Sequence, residues 1–145
     1  MEAEYLELPP APFFKLLNIK KLRVIELPEP MLEKYCKDNF QNSSEVSNKL
    51  LEYKKLLLDA NQHMNLIGKS TNDDFDQRHF LDCIQIHEYM NEKDKLTVDL
   101  GAGTGLPGIL LSIIGFKKGH LVEKSPKKAA FIENCKLRRG LDCTI

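Results

Sequence analysis

Residues 95–108 read KLTVDLGAGTGLPG, and the reading of this stretch decides the fold. Leu96, Val98 and Leu100 form a short apolar, partly β-branched run, the pattern of a buried parallel strand. Asp99 stands at its end, and Gly101, Gly103 and Gly105 follow at alternate positions. Pro107 then opens an apolar run from Ile109 to Ile114, as proline does at the first position of a helix. Strand, glycine turn and helix in that order predict the first unit of a doubly wound α/β sheet. Glycines lack a Cβ, so they take positive φ and let another molecule approach the backbone. The N–H groups at the helix start are expected to face a polar or anionic ligand group.

The glycine spacing discriminates between ligands. A dinucleotide fingerprint runs G-x-G-x-x-G, whereas here Asp99-x-Gly101-x-Gly103-x-Gly105 keeps no pyrophosphate-sized gap. This disfavours a nicotinamide-dinucleotide domain, and the pattern resembles the first motif of the class I S-adenosylmethionine-dependent methyltransferases. The next apolar run, His120-Leu-Val-Glu123, reads as a second strand, with Glu123 at its tip 20 residues beyond Gly103. A carboxylate at that spacing can accept hydrogen bonds from both hydroxyls of an adenosine ribose. The plainer reading of Glu123 is a solvated strand end.

Working outward, Ser125-Pro126 is a cap followed by proline at the first helical position. The helix it opens runs to Arg139, with Ala130, Phe131, Cys135 and Leu137 expected inward and Gly140 as its stop. Leu141 to Ile145 looks like the start of a third strand. Upstream, a short helix is expected from Met31 to Phe40. Asn42-Ser-Ser-Glu45 has capping-box spacing and precedes a strongly amphipathic helix with Val46, Leu50, Tyr53 and Leu57 inward. That helix ends near Asn61-Gln-His-Met-Asn65-Leu66, before a turn at Gly68. Thr71 or Asn72 is expected to cap a further helix running to about Met90, with Asp73, Asp74 and Asp76 in its first turn. Residues 1–30 hold five of the seven prolines, and the run Phe13 to Leu27 reads equally as a short helix or a strand. The expected organisation is a proline-rich N-terminal extension (1–30) and one domain (31–145). The domain divides into a helical part (31–92) and the first half of a Rossmann-like sheet (93–145).

Composition bounds the function. The chain is 42% hydrophobic and 29% charged, which excludes wholesale disorder. It has no apolar run long enough to span a bilayer, and Glu2, Glu4 and Glu7 argue against a secretory or transit peptide, so a cytoplasmic protein is expected. The net charge is zero but uneven. Residues 1–114 carry 13 basic and 18 acidic groups, while residues 115–139 carry 8 basic against 2 acidic. A basic segment of this kind attracts phosphates, and equally it complements the C-terminal end of its own helix dipole. Cys36, Cys83, Cys135 and Cys143 have neither C-x-x-C nor zinc spacing, so buried reduced thiols are expected and no metal.

Four features in order resemble the bacterial 16S ribosomal RNA guanine-N7 methyltransferases, the glucose-inhibited division protein B family. They are the amphipathic helix ending in Asn61-x-x-x-Asn65-Leu66, then Arg78-His79-x-x-Asp82, then Asp99 to Gly108, and then Leu121-Val-Glu123 followed by Lys127-Lys128 and Phe131. The match covers about residues 46–142, and the Leu106-Pro107-Gly108 continuation separates this family from other methyltransferases. The resemblance implies an incomplete class I Rossmann-like fold, N-terminal helices plus the first two to three strands, cut short at the C-terminus. It implies S-adenosyl-L-methionine as cofactor, with Gly101, Gly103, Gly105 and Leu106 lining its pocket. Asp99 would orient the loop near the methionine part, and Glu123 would hold the ribose. It implies 16S ribosomal RNA, in a small-subunit particle or precursor, as partner, for which Lys127, Lys128, Arg138 and Arg139 are the candidate contacts. Arg78, His79 and Asp82 match a family motif and read also as an ion-paired cluster joining helices to sheet. Two residues depart from the family pattern, Ala60 for the usual Trp and Cys83 for Ser. Losing the aromatic removes burial worth about 2–3 kcal/mol. No catalytic acid or base is nominated, because guanine N7 has an in-plane lone pair and no proton to lose. The alternative to an enzyme is a truncated, catalytically silent cofactor-binding remnant or a non-enzymatic binding module.

Overall fold

A computed structural model describes residues 31–68, 75–90 and 92–145. The N-terminal extension and the cap expected at Thr71 or Asn72 lie outside the described residues. Helix α1 (Met31–Asn39) buries Leu32 and Cys36, and α2 (Ser43–Met64) buries Val46, Leu50, Tyr53 and Leu57 on one stripe, as its periodicity predicts. Asn42 precedes α2, but its side chain makes no capping hydrogen bond to the helix backbone. Glu45, the other half of the expected box, takes Lys49 Nζ at 2.7 Å and also bonds the Asn42 side chain.

The helix expected to reach Met90 is not one regular α-helix. A π-helical turn (Asp76–Leu81) leads into a short α3 (Asp82–Ile84) and then a 3₁₀ stretch (Gln85–Tyr89). Phe75, Phe80 and Ile84 remain buried along it. Phe80 stacks on Tyr53 of α2 with ring centroids 5.7 Å apart, and Phe75 meets Phe80 edge-on at 5.2 Å. Such pairs each add about 0.5–1.5 kcal/mol beyond burial, enough to outweigh regular backbone pairing over a few residues.

Strands β1 (Thr97–Leu100), β2 (Gly119–Val122) and β3 (Cys143–Thr144) form a parallel sheet in the order β1-β2-β3. Helices α4 (Gly108–Ile113) and α5 (Pro126–Arg139) are the two crossovers. The register sets Asp99 beside Leu121 and Gly119 beside Cys143. This is the α/β arrangement expected, an incomplete Rossmann-like sheet. The core fills the space between α2, the 75–84 segment, α4, α5 and one face of the sheet, with Ile109, Leu110, Phe131, Ile132 and Cys135 buried in it.

Two expectations about that core need correction. Leu96, Val98 and Leu100 are not buried: they are 64%, 52% and 78% exposed, because the described helices cover only the other face of the sheet. On α5 the inward residues are Phe131, Ile132 and Cys135, while Ala130 and Leu137 face solvent. The stripe is rotated because Ile132, not Ala130, meets α4 beside the glycine loop. Gly140 closes α5 in the left-handed conformation at φ 58°, as expected. All four cysteines are free thiols, and burial pushes those of Cys36 and Cys135 up to about 11.

Candidate functional site

The glycine loop sits at the C-terminal end of β1, where ligands bind in open α/β sheets. Gly101, Gly103 and Gly105 all have positive φ, at 76°, 59° and 93°. Their freedom serves two purposes. At Gly101 a Cβ would meet nothing within 4 Å, so that backbone lies open to an approaching molecule. At Gly105 a Cβ would lie 2.4 Å from Ile109 Cγ1, so that glycine lets the loop press onto α4. Leu106 beside it is half-buried.

Glu123 follows β2 at the same end of the sheet. Its Oε2 accepts the Gly103 N–H at 2.7 Å, and its Oε1 accepts the Ser125 N–H at 2.7 Å. The two strand tips expected to face each other are thus in direct contact. The amides of Ser125 and Gly103 hold the carboxyl below the usual carboxylate range, with Lys128 and Lys124 acting in the same direction. Each carboxylate oxygen has a second lone-pair direction, so the internal bonds leave acceptor capacity for hydroxyl donors.

Asp99 is placed differently. It points into the layer between β1 and α4, where its Oδ2 accepts the Gly108 N–H at 3.0 Å. Burial pushes its carboxyl up, and the Gly108 N–H only partly offsets this. Gly108 is required at this point, because a Cβ there would lie 2.7 Å from Leu121 Cγ and 2.8 Å from Asp99 Oδ2. The helix start is therefore not open to an anion as its sequence suggested. Gly108 N–H is held by Asp99, and Ile109 N–H by the Gly105 carbonyl at 2.6 Å.

One contact carried no signal that the sequence reading used. The buried Tyr53 hydroxyl donates to the Thr104 carbonyl at 2.6 Å, tying α2 to the middle of the glycine loop. A tyrosine at a fully buried helical position, where phenylalanine would fill the same space, is the available hint, since a buried phenol needs a partner.

The basic residues do not gather into one patch. Lys127 and Lys128 lie in the first turn of α5, on the loop side of the sheet. Arg138 and Arg139 lie in its last turn, roughly 16 Å away at 1.5 Å per residue. Arg138 Nε donates to Asn134, and Arg139 pairs with Glu52 of α2. Of the remaining motif residues, His79 packs on Phe75 with centroids 5.0 Å apart and Asp82 is exposed, while the Arg78 side chain lies outside the described residues. The Asn61–Leu66 motif is a helix stop. Asn65 ends α2 in the left-handed conformation, Asn61 Oδ1 accepts the Ile67 N–H at 2.8 Å, and Leu66 drops into the core.

The sequence model for rRNA small subunit methyltransferase G matches residues 46–145, which take in most of α2, the glycine loop, Glu123 and all three strands. The chain belongs to that family. Among curated proteins named ribosomal RNA small subunit methyltransferase G, that of Orientia tsutsugamushi (strain Boryong) is 44% identical over 94 residues, 65% of this chain and 48% of the relative. The Rhodospirillum centenum protein is 38% identical over 106 residues, 73% of this chain and 49% of the relative. The Rickettsia akari protein is 41% identical over 91 residues, 63% of this chain and 48% of the relative. The chain thus spans about half the length of the curated relatives it matches. Among the described residues no helix is long and apolar enough to cross a membrane.

Proposed function

We propose that this chain carries the cofactor-binding half of an S-adenosyl-L-methionine-dependent methyltransferase that modifies guanine N7 in 16S ribosomal RNA. The observation that carries the reading is the contact of Glu123 with the glycine loop at the tips of two adjacent parallel strands, in a family whose relatives are named as rRNA methyltransferases. The residues present fit the cofactor. Gly101 leaves its backbone open, and Glu123 keeps acceptor directions for ribose hydroxyls. In this reading Gly101, Gly103, Gly105 and Leu106 line the pocket. Asp99 acts from beneath, fixing the start of α4 and so the loop above it.

When bound, the cofactor supplies an electrophilic sulfonium methyl. The demands on the protein are then modest, since guanine N7 attacks with an in-plane lone pair and gives up no proton. The chain has to align and exclude water rather than move a proton, which is why no catalytic acid or base is assigned. Lys127 and Lys128, on the loop side, are the better placed of the RNA contacts. Arg138 and Arg139 extend the basic surface at the other end of α5. Work on ribosomal RNA makes the cytoplasm the expected compartment. A non-enzymatic binding module is not favoured, because the relatives are named as methyltransferases.

The test is calorimetric titration of the 145-residue chain with S-adenosylhomocysteine, beside Glu123→Ala. Saturable binding that the substitution weakens by tenfold or more, about 1.4 kcal/mol, supports the assignment. Binding unchanged by the substitution removes Glu123 from the site, and no binding to the unsubstituted chain overturns the reading.

A further inference from the structure

The glycine loop carries a continuous file of hydrogen bonds from the protein core to the Glu123 carboxylate. It starts at Tyr53 of α2, which is fully buried and whose hydroxyl donates to the Thr104 carbonyl at 2.6 Å. The other end of that same peptide unit, the Gly105 N–H, donates to the Ala102 carbonyl at 2.7 Å. The other end of the next unit, the Gly103 N–H, donates to Glu123 Oε2 at 2.7 Å. Both units are trans, the cis bond of the loop lying beyond them at Leu106–Pro107. In a trans unit the carbonyl and the N–H point in opposite directions. The three bonds therefore run head to tail from hydroxyl to carboxylate, with one peptide group between each bond and the next.

Hydrogen bonds in such a file polarise one another. A peptide group whose carbonyl is bonded becomes a better donor at its N–H, by about 10–30% per bond. The file is sheltered as well: Tyr53, Ala102 and Thr104 are all buried, so water is a poor substitute for the phenol. Burial pushes the Tyr53 phenol up, so it keeps its proton, and its donor role, throughout the range in which a carboxylate titrates. At the far end, the Gly103 N–H is one of the two amides that hold the Glu123 carboxyl down. The ring of Tyr53 alone satisfies its stack on Phe80. The hydroxyl serves the loop.

We infer that Tyr53 is a positioning residue of this site, its hydroxyl setting, through two peptide groups, the direction and donor strength of the Gly103 N–H that holds Glu123. Buried beneath the loop, it acts through the carboxylate rather than on a ligand. That its effect reaches a bound adenosyl ribose rests on the function proposed above, whereas the relay from Tyr53 to Glu123 does not.

The experiment compares the 145-residue chain with Tyr53→Phe and with Val46→Ala, about two turns earlier on α2, at a temperature where melts show each to be folded. NMR follows the Glu123 carboxyl carbon through its titration, together with the Gly103 amide proton. In Tyr53→Phe the Glu123 midpoint should rise by about 0.3 unit, a twofold change in its protonation equilibrium, and the Gly103 amide proton should move upfield. Val46→Ala, which loosens the same helix by opening a cavity, should leave both in place. A midpoint unmoved by Tyr53→Phe, or moved equally by both substitutions, overturns the inference. Should Tyr53→Phe fail to fold, the unsubstituted chain decides: scalar couplings across the Gly105–Ala102 and Gly103–Glu123 hydrogen bonds support the relay, and their absence overturns it. S-adenosylhomocysteine is titrated separately into the unsubstituted chain and Tyr53→Phe. The substitution should weaken binding about threefold, and unaltered affinity beside a moved midpoint overturns the role of Tyr53 in recognition. No binding to the unsubstituted chain sinks the cofactor reading instead, and leaves the relay to be judged by the Glu123 midpoint.

Discussion

Replacing Gly105 with alanine should be among the most damaging single-methyl changes in this chain, and the structure says by how much. Gly105 has φ 93°, so any Cβ carries the left-handed penalty of about 1–2 kcal/mol. The added methyl would also sit 2.4 Å from Ile109 Cγ1 and 3.2 Å from Ile109 Cβ, with Ile132 Cγ2 behind at 3.6 Å. Ile109 is fully buried and β-branched, so it cannot swing aside, and overpacking of this kind costs about 1–3 kcal/mol. The sum is about 2–5 kcal/mol. Gly101→Ala is the internal control, because its φ of 76° carries a similar backbone cost while its Cβ would meet nothing within 4 Å. Urea denaturation of both variants and the parent, with unchanged m-values, gives the two losses. Gly105→Ala should lose more than Gly101→Ala by the packing cost alone. Equal losses would refute the argument that the loop is pressed onto α4.

Other expectations follow from single contacts. Tyr53→Phe leaves the rings stacked but strands the Thr104 carbonyl, which should lower unfolding stability by about 1–3 kcal/mol and speed amide exchange in the glycine loop. An unchanged melt would mean that the carbonyl finds another donor. His87 packs against Phe40 and shares a hydrogen bond with the Tyr35 hydroxyl, and burial holds its imidazole below the usual value. Its stabilising contribution is present above the unfolded pKa near 6.5 and declines as pH falls towards the folded value, because the unfolded chain takes up the proton first. His87→Gln should therefore flatten the stability-versus-pH curve just below pH 6.5, and a curve parallel to the parent's would count against this. Glu52→Gln removes the partner that Arg139 finds on α2. It should cost under about 1 kcal/mol, as exposed pairs do, and a larger loss in a double-mutant cycle would point to a coupled network.

The glycine turn with α4 and the amphipathic α2 were legible in the sequence because each helix packs an apolar stripe of its own into the core. The period of Val46, Leu50, Tyr53 and Leu57 needs only one partner face, and that face is present. Val98 and Leu100 misled for the converse reason: their composition specifies burial on both faces, while the described helices supply cover on only one. The segment around Phe75 and Phe80 was read as regular helix because local periodicity does not register the π-turn or the tertiary ring stack found beside it. The juxtaposition of Gly103 and Glu123 was anticipated from spacing alone. The inward turn of Asp99 was not, since a strand-end carboxylate looks the same in sequence whichever side it faces.

The two internal hydrogen bonds of Glu123 have a consequence for any molecule that arrives at the loop. A carboxylate clamped through both oxygens by main-chain amides has its rotamer chosen before the encounter. An incoming diol then meets acceptors already frozen in place, so the association forfeits little side-chain entropy. The same clamp ties the carboxylate to loop shape: whatever unlatches Gly103 also releases Glu123.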